Sequence, residues 1–72
     1  MKVRDTITID KDILGGQLVF KGTRVPIESL FDHLEAGASV NEFLSDFPTV
    51  SKEQVIALLN SANKFFSSEN IN

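Results

Sequence analysis

Two different periods of apolar residues divide the chain near residue 25. Thr6–Asp10 alternates polar and apolar residues, which is typical of a half-buried strand. Leu18–Phe20 and Thr23–Val25 flank a two-residue Lys21–Gly22 segment, which is the length of a tight hairpin turn. These patterns predict a strand and a β-hairpin within residues 1–25.

After residue 25, apolar residues recur at intervals of three and four, as they do on one face of an α-helix. Pro26 fits the first position of a helix, Gly37 fits a helix end, and Pro48 stops a second helix. Capping boxes at Ser39–Glu42 and Ser51–Gln54 predict the starts of the second and third helices. The expected apolar stripes are Ile27, Leu30, Phe31 and Leu34 in the first helix, Val40, Phe43, Leu44 and Phe47 in the second, and Val55, Ile56, Leu58, Leu59, Ala62, Phe65 and Phe66 in the third.

These elements predict a mainly α fold with a small N-terminal β-hairpin and a three-helix, helix-turn-helix-like bundle of the winged or homeodomain-like kind. The Pro48–Val50 segment between the second and third helices has the length of a helix-turn-helix turn. We expect a single domain, residues 1–72, made of a strand and hairpin region 1–25, a three-helix bundle 26–66 and a frayed tail 67–72.

Composition and charge narrow the classes of function. The chain has no cysteine, which excludes disulfides and thiolate metal sites, and it starts without a long apolar run, so we expect a cytoplasmic protein with no membrane association. Residues 1–24 carry five basic and three acidic side chains, whereas residues 25–72 carry two basic and seven acidic ones. The acidic part favours a basic partner protein over strong nucleic-acid binding by one chain.

Candidates for catalysis are few. His33 is the one histidine, and we interpret it as an exposed residue beside Asp32, on the face of the first helix opposite Leu30 and Phe31. One histidine among scattered carboxylates does not predict a metal site, and no nucleophile has a candidate base. We therefore expect no catalytic residue, no metal and no cofactor, and a protein that is not an enzyme.

The outer face of the third helix is a candidate for DNA binding. Asn60 and Ser61 have side chains that read base edges, and Lys64 suits a phosphate. Glu53 on the same face repels phosphate, and Ala57 contributes no contact of this kind. An ordinary amphipathic helix that closes a three-helix core is the alternative, although a dimer would add phosphate contacts.

The hairpin is a candidate for partner binding. Lys21, Gly22, Thr23 and Arg24 form a short segment that would present two cations to an acidic site. The alternative is that Gly22 serves only the turn and that both cations face solvent. The alternating strand also needs a partner edge, either within the chain or in a second copy, so we expect a homodimer through the N-terminal strands.

Three blocks of the sequence resemble a known family. Ile13–Ile27, Leu34–Gly37 and Asp46–Val55 are similar to small bacterial proteins of the domain of unknown function numbered four hundred and thirty-three. The Gly22–Ile27 block, Gly-Thr-Arg-Val-Pro-Ile, is its most specific part, and the Phe47–Pro48 turn supports it. This chain has Gln-Leu after the paired glycines, where the family often has Lys-Pro.

The resemblance implies a helix-turn-helix-like fold and an antitoxin role beside a toxin that looks like a PIN-domain ribonuclease. Such antitoxins bind and silence the toxin, and many also bind operator DNA and repress their own operon. We expect Arg24, supported by Lys21, to pair with the metal-binding carboxylates of the toxin. The alternatives are a stand-alone DNA-binding transcriptional regulator and a non-catalytic protein-interaction module.

Overall fold

The computed structural model describes residues 2–9, 11–12 and 15–68. A two-stranded antiparallel sheet precedes three helices, so the predicted fold class is confirmed. A 3-10 turn at Val3–Asp5 leads into the first strand. The elements are β1 (Ile7–Ile9), β2 (Leu18–Phe20), α1 (Ile27–Glu35), α2 (Val40–Asp46) and α3 (Lys52–Ser68).

The hairpin is built from different segments than the sequence predicts. β1 pairs with β2, with Thr8 opposite Val19 and Ile9 opposite Leu18. The predicted pairing of Leu18–Phe20 with Thr23–Val25 is wrong, because Thr23–Val25 is not a strand. It contributes one backbone hydrogen bond of 2.9 Å, from the Phe20 N–H to the Val25 carbonyl, followed by an isolated bridge between Val19 and Pro26.

The hydroxyl of Thr23 explains this difference. Thr23 Oγ1 donates to the Phe20 carbonyl at 2.8 Å and accepts from the Val25 N–H at 3.0 Å. A threonine hydroxyl that bonds to nearby backbone groups competes with a strand ladder for them. Pro26 then has no N–H to extend a ladder. The segment after the turn is therefore a side-chain-stabilised loop.

The predicted N-terminal strand begins one residue later than expected. Thr6 is fully buried ahead of β1, and its hydroxyl donates to the Val3 carbonyl at 2.7 Å. Asp10 at the other end lies outside the described residues, as do Ile13 and Leu14 of the block that resembles the family. β1 nevertheless has its partner edge within the chain, in β2.

A small apolar core joins the hairpin to the helices. The rings of Phe20 from β2 and Phe43 from α2 are both fully buried, with centroids 6.0 Å apart. The core consists of Phe20, Val25, Leu30, Phe43, Val50, Val55 and Leu58. Both predicted capping boxes are present, so the starts of α2 and α3 are set by local side-chain hydrogen bonds.

α3 has the predicted period but extends beyond the core. Val55 and Leu58 are buried, whereas Phe65 and Phe66 are 59% and 61% exposed, and Ile56 is also exposed. Their predicted burial is wrong, because a 17-residue helix is about 25 Å long and the core reaches only its first half. Helix α3 also includes 67–68, which the sequence assigned to a frayed tail; residues 69–72 lie outside the described residues.

Gln54 connects α3 to the hairpin. Its Oε1 accepts from the Ser51 N–H at 2.9 Å, which completes the capping box. Its Nε2 donates to the Lys21 carbonyl at 3.0 Å and lies 3.4 Å from the Thr6 carbonyl. One side chain therefore satisfies a helix end and the two carbonyls that lie side by side at the open end of the hairpin.

His33 is not the exposed helix residue that the sequence predicts. It is half-buried, with Nδ1 2.8 Å from the Ser29 carbonyl and Nε2 3.1 Å from Asp46 Oδ2. Its ring contacts Phe43 and Phe47 edge-on, at centroid distances of 5.3 and 5.5 Å. Both ring nitrogens face acceptors, so the doubly protonated imidazolium satisfies both; the Ser29 hydrogen bond, and then Asp46, raise the pKa of His33.

Replacing Gln54 with glutamate separates its two roles. Gln54→Glu keeps the oxygen that caps α3 but removes the amide donor and places a second oxygen near two carbonyls. We expect the free energy of unfolding to fall by about 1 to 3 kcal/mol, measured by urea denaturation near neutral pH. The matched control is Glu42→Gln, since Glu42 serves only the α2 capping box. It should change stability by less than about 1 kcal/mol. Equal effects of the two substitutions would contradict the bridging role.

The raised pKa of His33 predicts a stability that depends on pH. Its contribution is fully present below about pH 6.5, the ordinary histidine value, and is lost as the pH rises through the raised pKa. Urea unfolding at about pH 6 and about pH 8.5 should therefore show greater stability at the lower pH. His33→Gln should remove this difference. Asp46→Asn should only reduce it, because the Ser29 hydrogen bond remains. A wild-type difference that persists in His33→Gln would assign the pH dependence to other groups.

Candidate partner-binding groove

The loop that follows β2 and the turn before α3 lie on either side of an open groove of about 680 Å³. We call it the Arg24 groove. It is lined by Thr8, Val19, Gly22, Thr23, Arg24, Val25, Pro26, Phe47 and Thr49. These residues come from β1, β2, the loop after β2 and the α2–α3 turn, so the groove exists only in the folded chain.

The floor of the groove is apolar and rigid. Val19 and Val25 are buried, and Pro26 and Phe47 are half-buried. Phe47 packs against Phe43 with ring centroids 5.0 Å apart and contacts His33 on another side. The hydrogen bond between His33 on α1 and Asp46 on α2 therefore also helps to hold Phe47 in its place in the groove.

The backbone of the loop has little freedom. Thr23 N–H donates to the Phe20 carbonyl at 3.0 Å, closing a four-residue turn in which Gly22 has φ 81°. A type II turn requires a positive φ at this third position, where glycine carries no steric cost. Together with the two bonds of the Thr23 hydroxyl, this turn fixes the point from which Arg24 leaves the backbone.

Arg24 is an exposed cation at the edge of an apolar groove. It forms no ion pair with any residue that the structure describes. Its guanidinium has five donors in a planar fork that matches a carboxylate. The groove can therefore combine apolar contact with recognition of one anionic group.

The predicted partner-binding residues are only partly brought together. Gly22, Thr23 and Arg24 line the groove, whereas the exposed Lys21 does not and offers its carbonyl to Gln54. Thr8, Val19 and Thr49 also line the groove, although nothing in the sequence pattern predicts it. Phe47 belongs to the Asp46–Val55 block that resembles the family, and the fold brings it into one groove with residues of the Gly22–Ile27 block.

The predicted DNA-binding residues lie along α3. Asn60 and Lys64 are exposed, and Ser61 is half-buried. Ala57, which the sequence placed on the outer face, is buried. A shallow depression of about 220 Å³ is lined by Glu53, Ile56, Ala57 and Asn60, and so has a carboxylate but no cation in its lining.

Residues 2–9, 11–12 and 15–68 contain no group of three or more histidine, aspartate or glutamate side chains placed to hold a metal ion. None of their helices combines the length and the apolar character needed to cross a membrane.

Comparisons with known proteins place the chain in a family. Over 52 residues it is 38% identical to a protein of Sinorhizobium fredii (strain NBRC 101917 / NGR234) described as "Uncharacterized protein y4eO", and the aligned part covers 72% of this chain. The chain spans only 24% of the length of that relative. No solved structure matches the chain. The sequence profile described as "Protein of unknown function (DUF433)" matches residues 7–61, which include every residue that lines the Arg24 groove, and the chain therefore belongs to the DUF433 family.

Proposed function

We propose that this chain is an antitoxin-like protein that binds and inhibits a PIN-like ribonuclease toxin through the Arg24 groove. The observation that carries the proposal is an exposed arginine without an ion-pair partner among the described residues, held at the edge of an apolar groove. Residues from the Gly22–Ile27 block and from the Asp46–Val55 block, both of which resemble the family, line that groove together. A shared role in binding a partner would account for both blocks.

The chemistry of the proposed contact is a charge-assisted pair. Nucleases of the PIN type hold a divalent metal with clustered carboxylates, and such a cluster attracts a guanidinium. A bidentate pair between arginine and carboxylate is stronger and more directional than a pair with a surface lysine. Arg24 inserted among these carboxylates would occlude the catalytic centre, while Val25 and Pro26 would cover apolar surface beside it.

The charge distribution supports the same partner. Residues 25–72 carry seven acidic and two basic side chains. A protein that binds RNA has a basic surface, and complementary charge accelerates association with it. In this proposal the cytoplasmic protein contributes no catalytic group and no cofactor of its own, since inhibition needs only binding.

The role of Arg24 can be tested with the product of the adjacent gene, which under this proposal is the nuclease. Arg24→Ala should weaken the complex by roughly tenfold to a hundredfold, because a hydrogen-bonded charge contact contributes about 1.5 to 3 kcal/mol. Binding is measured by isothermal titration calorimetry and inhibition by cleavage of a labelled RNA. Lys52→Ala is the matched control, since it removes one exposed cation outside the groove and should retain the affinity of the unsubstituted chain.

Two results would contradict this proposal in different ways. Full inhibition by the Arg24→Ala chain would remove Arg24 from the mechanism. Absence of any complex between the unsubstituted chain and the adjacent gene product at micromolar concentration would reject the antitoxin function itself.

DNA binding is a second candidate function, favoured by the α2–turn–α3 arrangement. The turn between these helices is short, as in a helix-turn-helix unit, and Asn60 and Lys64 are exposed on α3. In an autoregulating antitoxin this surface and the Arg24 groove would serve different partners. A stand-alone regulator would use α3 alone.

Operator binding should depend on salt and on the exposed face of α3. With the promoter of its own gene as the probe, Lys64→Ala should lower the salt-dependence slope by about 1, and Asn60→Ala should cost about 1 to 3 kcal/mol and relax sequence preference. Lys2→Ala, which removes an exposed cation outside α3, is the control. The measurement is fluorescence anisotropy over a range of salt concentrations. Affinity that is undetectable even at low salt would reject DNA binding by this chain.

A further inference from the structure

The outer edge of β1 has backbone groups that no other described residue pairs with. The Lys21 N–H donates to the Thr6 carbonyl at 2.8 Å, and antiparallel pairs alternate between bonded and non-bonded positions. Thr8 and Val19 are therefore the next hydrogen-bonded pair. Ile7 and Ile9 lie at the non-bonded positions between such pairs, so their N–H and C=O groups point away from β2. The outer edge of β2 is partly covered instead, by the bond between Phe20 and Val25.

This edge is complementary to itself. A second β1 can lie antiparallel to the first, with the two Thr8 residues opposite each other. Ile7 of each copy then lies opposite Ile9 of the other copy. Residues of this kind, with outward N–H and C=O groups, form the bonded pairs of an antiparallel ladder. The two-fold axis then passes between the two Thr8 residues, and all the outward groups of Ile7 and Ile9 are satisfied.

The same register covers exposed apolar surface. Ile9 and Leu18 lie opposite each other on one face of the hairpin, and they are 61% and 38% exposed. Ile7 and the buried Phe20 lie on the same face, nearer the core. Across the two-fold axis, Leu18 and Ile9 come into line with Ile7 and Phe20 of the second copy. The exposed pair of each copy therefore continues the apolar row of the other.

Opposite charges lie at the two ends of β1. Asp5 precedes the strand and Lys11 follows it, and both side chains are exposed. Neither belongs to an ion pair within the described part of the chain. Antiparallel pairing about Thr8 brings the start of each β1 beside the end of the other. Continued past the strand ends, this register sets Asp5 opposite Lys11 of the second copy at each end of the paired strands.

We propose that two copies of this chain form a symmetric dimer by antiparallel pairing of their β1 edges about Thr8, giving a four-stranded sheet. The proposal depends on the strand edge, the exposed apolar pair and the terminal charges. It does not depend on the proposed antitoxin function, and its test uses the chain alone.

The first test blocks the edge without breaking the hairpin. Sedimentation velocity of the unsubstituted chain should show a dimer at concentrations of about 10 to 100 µM, as expected for a small interface. Ile9→Pro removes an N–H that bonds to none of the described residues, and should give a folded monomer with unchanged far-UV circular dichroism. Ile9→Val, which keeps the N–H and most of the apolar surface, should remain dimeric.

The second test uses charge exchange to identify the register. Asp5→Lys puts two cations in each contact, and Lys11→Asp puts two anions in each, so either chain alone should dimerise at least about tenfold more weakly. An equimolar mixture pairs opposite charges at both ends, and should form a heterodimer with affinity close to that of the unsubstituted chain. Any other interface would not show this rescue.

Three results would overturn the proposal. They are an unsubstituted chain that stays monomeric up to about 100 µM, an Ile9→Pro chain that dimerises normally, and a charge-exchanged mixture that shows no rescue. Loss of the dimer in Phe65→Ala together with its retention in Ile9→Pro would place the interface on α3 instead.

Discussion

Beyond the apolar core, the side-chain hydrogen bonds that attach the hairpin to α3 within the described residues all come from the carboxamide of Gln54. Its oxygen caps α3, and its nitrogen bonds to the carbonyls of Lys21 and Thr6, which are distant in sequence. Carbonyl groups near a protein core need hydrogen-bond partners, and this amide supplies one to each strand of the hairpin. Gln54 therefore fixes the open end of the hairpin against α3 and helps to place β2 beside the Arg24 groove.

The features that the sequence predicted well are those determined within one helical turn. Both capping boxes and the stop at Gly37 depend on residues three or four positions apart, and they are present as expected. Other features depend on residues that are far apart in the sequence. These are the pairing of β1 with β2, the hydrogen bond between His33 and Asp46, and the Arg24 groove. Periodicity carries no information on such contacts, and the Thr23 hydroxyl replaced the expected local ladder with a loop.

Thr8 connects the two proposed interaction surfaces. Its side chain lines the Arg24 groove, and its backbone lies at the centre of the proposed dimer. Residues directly opposite each other in a sheet point to the same face, so both grooves of such a dimer would open on one side of the shared sheet. Two linked sites of this kind would bind a two-fold symmetric partner far more tightly than either site alone.

The extension of α3 beyond the core has a consequence for local unfolding. Residues 63–67 are all exposed and lie beyond the matched family region, which ends at residue 61. Backbone bonds without tertiary contacts open with a free energy far below that of global unfolding. The amide protons of this segment would therefore exchange with solvent through fraying of the helix end, while those near Val55 and Leu58 would exchange only when the core opens. On this basis the helix would unfold in two parts, the exposed C-terminal part before the part that packs on the core.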